Sequence, residues 1–210
     1  MNVMKLCIVC GLWLCFLPLL ACSQTSQSVD ASTCIGVKPA SSSALSQKVT
    51  CEHAKSCLGK LSPSWKQQDF QPQSCGYRKD YGIDSFRGHV TLVVLLSAWC
   101  GYCQGQAEKL ERMRVEWELA GKKVHILVVN SSDADADQQK LVERCSFPLF
   151  QDTGNTVWGT LKGKKDDFFV YDTDGKLTHY FSSTDSSVNT DLSTTNGYKT
   201  IKDAVETLLK

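Results

Sequence analysis

The sequence predicts an α/β fold, a mixed central sheet with helices on both faces, and three observations carry that prediction. Val90 to Leu96 is an apolar, β-branched run bounded by Gly88 and His89. It is too short for an ordinary helix and reads as a strand buried on both sides. From Gln104 to Ala120 the period changes, with Ala107, Leu110, Met113 and Trp117 recurring at three and four as on an amphipathic helix. Lys123 to Val129 (KVHILVV) is then a second buried strand, so strand, helix and strand form a right-handed unit.

Taken from its start, the chain has one basic residue, Lys5, and an uncharged apolar run from Leu6 to Leu20. The run is shorter than a comfortable membrane span and reads as a signal peptide over 1–21. Its ending, Leu19-Leu20-Ala21-Cys22, resembles a bacterial lipobox. That resemblance implies cleavage before Cys22, a diacylglycerol on its sulfur and a lipid-anchored chain in the cell envelope, on the periplasmic face. Ser23 resembles the outer-membrane sorting pattern; an unprocessed lipobox would instead leave a secreted protein. Residues 22–47, rich in Ser, Thr, Gln and Ala, read as a flexible tether. Residues 48–210 are about the size of one domain, with a disulfide-stapled extension over 48–89.

The chain has 11 cysteines. Cys7, Cys10 and Cys15 leave with the signal and Cys22 is the lipidation candidate. Cys34, Cys51, Cys57, Cys75, Cys100, Cys103 and Cys145 remain, an odd number. In an exported chain the first four are expected to form structural bridges whose pairing spacing does not fix. Cys51-x-His53-x3-Cys57 has a metal clip as its alternative reading. Gly76, Gly82 and Gly88 punctuate a loop-rich approach to the first buried strand.

Between that strand and its helix stands Trp99-Cys100-Gly101-Tyr102-Cys103. A cysteine at the first turn of a helix faces unpaired N–H groups and the positive end of the helix dipole, which favours thiolate. Cys103, three residues on, is near enough to close a disulfide and release whatever Cys100 has captured. Zinc would need a second ligand pair, and none follows, so the pattern calls for redox chemistry with no metal and no cofactor. Trp99 is expected over the sulfurs or in the core. Downstream, Ala134 to Cys145 reads as a short helix, Phe147-Pro148-Leu149-Phe150 as a strand entered through proline, and Asp166 to Tyr171 as a strand. Asp172 to Gly175 turns into a return strand, Lys176 to Phe181, and Thr200 to Leu209 closes the chain as an amphipathic helix. Cys145 reads as a free thiol packed under the helix, with a third redox thiol as the alternative. A net charge of +1 without a basic cluster speaks against a nucleic-acid partner.

This order of elements and the Trp-Cys-Gly-Tyr-Cys motif resemble the thioredoxin superfamily. The resemblance implies dithiol/disulfide exchange on protein thiols and disulfides and a membrane electron donor or acceptor. It places Pro148 at the family's cis-proline, beside the sulfurs, so that the backbone of Phe147 pairs with an extended substrate; Trp99 and Tyr102 complete the expected substrate-binding set. Ser62-Pro63-Ser64-Trp65, the strand Val90 to Leu96, Val157-Trp158, and Lys165-Asp166-Asp167-Phe168-Phe169-Val170-Tyr171-Asp172 with Gly175 resemble more closely the N-terminal domain of selenoprotein P. There the first redox position is selenocysteine; here it is Cys100, and nothing in the chain resembles that family's selenium-rich tail.

Several departures matter. Thioredoxin has a buried Asp six residues before its first cysteine, where this chain has Val94. Membrane-tethered thioredoxins of the TlpA type have Glu three residues after the second cysteine, where this chain has Gln106. No expected carboxylate therefore stands near Cys103, and Glu108 and Glu111 read as solvated helix residues. Two alternatives belong to other classes. A copper carrier of the Sco kind uses CxxxC and a distant His, whereas His125 lies inside a strand. A thiol peroxidase would have Thr and Pro before its reactive cysteine, where Ala98 and Trp99 stand.

Overall fold

The structure, a computed structural model, describes residues 34–39 and 49–209. The signal segment, Cys22 and most of the expected tether lie outside the described residues. In chain order the elements are a 3-10 turn at Ala54–Cys57, short strands β1 (Gln67–Gln68) and β2 (Asp80–Tyr81), a 3-10 turn at Ile83–Phe86, β3 (Val90–Leu96), α1 (Gly101–Leu119) and β4 (Val124–Asn130). A 3-10 turn at Asp135–Asp137 then leads into α2 (Gln138–Val142), followed by β5 (Leu149–Gln151), α3 (Thr156–Leu161), β6 (Phe168–Tyr171), β7 (Leu177–Phe181) and α4 (Thr195–Glu206).

The main sheet has the order β5-β4-β3-β6-β7. β3, β4 and β5 run parallel, whereas β6 is antiparallel to β3 and β7 antiparallel to β6. All seven residues of β3 are buried, as expected of a strand covered on both faces. On one side Leu92, Val94 and Leu96 pack against Ala107, Leu110, Met113 and Trp117 of α1 and Ile201 and Val205 of α4. On the other side Val93 and Leu95 meet Trp65, Tyr81, Phe86, Val157 and Leu161. That second face is covered by short α3 and the N-terminal extension rather than by a long helix.

The extension is held by two bridges, Cys34–Cys75 and Cys51–Cys57, with Cα separations of 4.9 and 5.6 Å. Cys51 and Cys57 thus form a disulfide rather than a metal clip, and His53 serves the same turn by accepting the Ser56 N–H on Nδ1 at 3.2 Å. The expectation of a continuous tether over 22–47 fails for residues 34–39. Beside the Cys34 bridge, the Ile35 N–H donates to the Gln73 carbonyl and the Cys75 N–H to the Ile35 carbonyl, both at 2.9 Å. Both sheet edges are covered in part. Gly59 and Leu177 pair along β7, and the Phe70 N–H donates to the Leu149 carbonyl along β5, which removes backbone that would otherwise template aggregation.

Three helix boundaries differ from expectation. The segment 134–145 is a 3-10 turn and a five-residue helix, not one element. α3 was not anticipated; it starts because Asp152 caps it, accepting the N–H groups of Val157 at 2.9 Å and Trp158 at 3.0 Å. α4 starts at Thr195, five residues early, because the Thr194 hydroxyl accepts the Gly197 N–H at 3.0 Å. His125 in β4 packs edge-on against Phe86 and His89, and burial followed by the neighbouring His89 lowers its pKa to about 4. Among the described residues no helix is long and apolar enough to cross a membrane.

Candidate active site

The end of β3 delivers the motif, and the loop after it is pinned before α1 begins. The Ala98 N–H donates to Asn130 Oδ1 at 2.8 Å, and Gln104 Nε2 donates to the Ala98 carbonyl at 2.9 Å. Cys100 is the N-cap of α1, with extended backbone and its Sγ accepting the Cys103 N–H at 3.4 Å. The sulfur therefore takes the place of a capping oxygen and meets the positive end of a 19-residue helix. Cys100 is 9% exposed and Cys103 0%, so one sulfur faces the surface and the other is shut behind it.

A second turn completes the site. Because β6 runs antiparallel to β3, it begins where β3 ends. The Asp166 N–H donates to the Leu95 carbonyl at 2.7 Å, and the Leu95 N–H to the Asp167 carbonyl at 3.1 Å. Lys165 Nζ then lies 3.4 Å from Cys100 Sγ, and the Cys103 thiol donates to Asp166 Oδ1 at 3.3 Å. Asp166 has φ of 65°, a left-handed conformation that Asp tolerates better than most residues. Fully buried Asp167 holds the turn closed, accepting the Lys164 N–H at 2.8 Å, the Tyr180 hydroxyl at 2.6 Å and the Ser183 N–H at 2.8 Å.

The two sulfurs are biased in opposite directions. Burial alone would push the Cys100 thiol up, but the hydrogen bonds from Cys103 and the Lys165 ammonium outweigh it and hold the pKa below the ordinary thiol value. Burial, the Asp166 charge and the contact with Cys100 push Cys103 far above that value, with only a backbone hydrogen bond at Ser97 acting the other way. Asp166 is raised in turn, chiefly by burial, although Cys103 and Lys165 pull it down. The result is a thiolate-prone outer sulfur and an inner sulfur that keeps its proton.

Trp99 and Tyr102 flank the opening, 48% and 46% exposed, among the most exposed large apolar side chains of the described residues. Lys165 Nζ sits 5.3 Å above the centre of the Trp99 ring, a cation–π contact that ties the indole to the Cys100 side of the site. Burial, then the charges of Asp191 and Asp166, raise the Tyr102 hydroxyl to about 12. The Gln106 amide is committed away from the sulfurs. It pairs with the 190–192 loop, donating to the Thr190 carbonyl and accepting the Leu192 N–H, both at 2.9 Å.

The expected placing of Phe147 and Pro148 is overturned. The chain has no cis peptide bond among the described residues, and Phe147 is fully buried, so its backbone is closed to a substrate. The pair enters β5, two strands from β3, and the Pro148 carbonyl accepts the Val128 N–H at 3.1 Å. Glu111 is not a solvated residue either: it accepts Ser146 Oγ at 2.7 Å and Arg114 Nη2 at 2.7 Å, tying the lead-in of β5 to α1. Cys145 is free and buried, its thiol donating to the Leu141 carbonyl at 3.4 Å. Lys165 and Asp166 escaped the sequence reading as site residues. They were visible only as part of a block preceding an apolar strand, and nothing in the block gives that strand's direction.

A parallel strand ending in a helix-capping dithiol, inside a five-stranded mixed sheet, defines a thioredoxin-like domain. The family model for the N-terminal region of selenoprotein P matches residues 53–191, more than half of the chain, and the chain belongs to that family. Selenoprotein P of Homo sapiens is 33% identical over 135 residues, 60% of this chain and 32% of that protein. The chain thus spans about a third of the length of the curated relatives it matches. A secreted disulfide oxidoreductase of Mycobacterium tuberculosis superposes with a TM-score of 0.53 at 14% identity, covering 69% of this chain and 96% of that one. A Sco/SenC-family lipoprotein from Bacillus anthracis does so with a TM-score of 0.53 at 13% identity, covering 73% and 97%. At these identities the two structures speak for the fold alone.

Proposed function

We propose that the chain is an exported thiol–disulfide oxidoreductase working by dithiol/disulfide exchange at Cys100 and Cys103 on protein disulfides, anchored through a lipid on Cys22. The carrying observation is the opposite bias of the two sulfurs: Cys100 at the N-cap beside Lys165, Cys103 sealed behind it with its proton on the Asp166 side. The Cys100 thiolate attacks a substrate disulfide, forming one S–S bond and expelling one substrate thiolate. Cys103 then attacks Cys100, forming the internal disulfide and expelling the second substrate thiolate, so two electrons pass to the substrate. Run backwards, the same steps oxidise a dithiol. Exposed Trp99 and Tyr102 offer apolar contact to a polypeptide at the opening.

Export finds support in the signal-like segment before Cys22. A membrane electron donor or acceptor would serve an anchored dithiol. The test is equilibration in glutathione buffers, with Cys100→Ser as control. A two-electron couple below about −230 mV identifies a reductase fed from the membrane, and one above about −180 mV an oxidase or isomerase. A chain that does not titrate as a two-electron couple overturns the reading.

A further inference from the structure

The mechanism leaves one group without a task, the buried carboxylate of Asp166, and the two positions where related dithiols carry an acid hold Val94 and Gln106 instead. We propose that Asp166 is the proton acceptor for Cys103 when it resolves the mixed disulfide, a catalytic carboxylate supplied by the strand antiparallel to the one that bears the cysteines. This rests on the oxidoreductase reading and specifies its second step.

Three features of the geometry lead to it. The Cys103 thiol already points its proton at Asp166 Oδ1, 3.3 Å away, and Cys103 is fully buried, so bulk water does not reach that sulfur. Asp166 is 6% exposed, and its backbone is locked to Leu95 at 2.7 Å, which fixes the carboxylate against the sulfur. Asp167 is taken up by three donors of its own, Lys164, Tyr180 and Ser183, none of them a cysteine. The groups facing Asp166 are Lys165 from the same turn, Asp167 behind it, Asp191 from the 190–192 loop, and Tyr102 and Cys103 from α1.

The timing follows from charge. While Cys100 is a thiolate, a second thiolate 3 residues away and beside a carboxylate is unfavourable, so Cys103 stays protonated. Once Cys100 is bonded to substrate sulfur its charge is gone. The Cys103 proton then moves to Asp166, the Cys103 thiolate attacks Cys100 Sγ, the bond from Cys100 to the substrate breaks, and the electron pair leaves on the substrate sulfur. Asp166 returns its proton to that departing thiolate or to solvent.

The test uses single-turnover kinetics of the full reduced chain with a disulfide peptide, following mixed disulfide by acid quench. Asn keeps the left-handed backbone available, so Asp166→Asn is the informative variant. The expected result is an unchanged first step and a resolution step slowed about a hundredfold, the lower end of what a positioned proton-transfer group contributes. Mixed disulfide should accumulate, and Asp166→Glu should restore part of the rate. Resolution at the wild-type rate with the wild-type pH profile overturns the proposal and leaves the oxidoreductase reading standing; a reduced wild-type chain that does not reduce the peptide disulfide at all overturns that reading itself. As a measurement free of folding defects, carbon-13 titration of the Asp166 carboxyl in the wild-type protein should give different midpoints in dithiol and disulfide forms, and identical midpoints would refute the assignment.

Discussion

Two turns lead into strands of the same sheet, residues 164–167 into β6 and residues 146–148 into β5, and only the first reaches the sulfurs. β6 is hydrogen-bonded to β3 and antiparallel to it, so the start of β6 meets the end of β3. β5 is parallel and lies beyond β4, with Leu149 in register with Val128, so its lead-in falls short of the end where the cysteines stand. Composition follows position: Lys165, Asp166 and Asp167 in one turn, Ser146, Phe147 and Pro148 in the other. In a mixed sheet it is strand direction, more than the presence of a proline, that decides which loop borders a site at a strand end.

The largest expected effects set the two turns against each other directly. Asp167→Ala removes a fully buried carboxylate from three partly buried donors, two of them on exposed Lys164 and Ser183, so each should cost toward the low end of about 1 to 3 kcal/mol. Phe147→Ala empties a fully buried aromatic site, at about 3 to 5 kcal/mol. Denaturant unfolding should therefore show similar losses for both. Alkylation of Cys100 at neutral pH should separate them, falling for Asp167→Ala, which frees Lys165 from its post, and holding for the folded fraction of Phe147→Ala. Equal falls in both would break the comparison.

The difference also marks what could be read from the chain. β3, its helix and β4 were legible because burial on both faces leaves an unmistakable apolar run and α1 repeats Ala107, Leu110, Met113 and Trp117 on one side. The dithiol was legible because its chemistry depends on local spacing. Asp166 was not, because a short strand reads the same whether it runs with or against its neighbour, and only pairing through Leu92↔Val170 and its neighbours brings the turn to Cys103. Likewise Gln106 looked like a missing acid, whereas its two bonds to the 190–192 loop make it a clamp. α3 was hidden for another reason: six residues capped from Asp152 carry too little periodicity to announce a helix.

A smaller effect tests the other pole of the site turn. Lys165→Gln removes the ammonium that faces Cys100, so the pKa of that thiol should rise and the thiolate fraction at neutral pH should fall. A charge-assisted hydrogen bond is worth about 1.5 to 3 kcal/mol when buried, and half-exposed Lys165 should give less, a several-fold drop in alkylation rate. The potential offers an independent readout. Below the pKa of Cys100 reduction takes up two protons per two electrons and the potential falls about 59 mV per pH unit; above it one proton is taken up and the slope halves to about 30 mV. Because Lys165 favours the thiolate, the break should move to higher pH in Lys165→Gln. An unmoved break would mean that the helix N-terminus alone sets the acidity of Cys100.

The smallest effect is expected at the other turn. Pro148 joins Phe147 through a trans bond and packs its ring on Gly36, where an added Cβ would come within 2.9 Å of the ring. Pro148→Ala gives up that contact and loosens the unfolded chain, which costs about 0.4 to 1 kcal/mol, or about 1 to 4 °C in Tm for a chain of this size. Nothing in this change touches Cys100, Cys103, Lys165 or Asp166, so the reduction potential should stay within about 30 mV of wild type, the equivalent of a tenfold change in the exchange constant. A larger shift would mean that residues 146–148 border the sulfurs after all, and the topological distinction between the two turns would fall with it. A stable protein with an unchanged potential, beside an Asp166→Asn variant that stalls at the mixed disulfide, would locate the proton chemistry of this dithiol in the turn before β6.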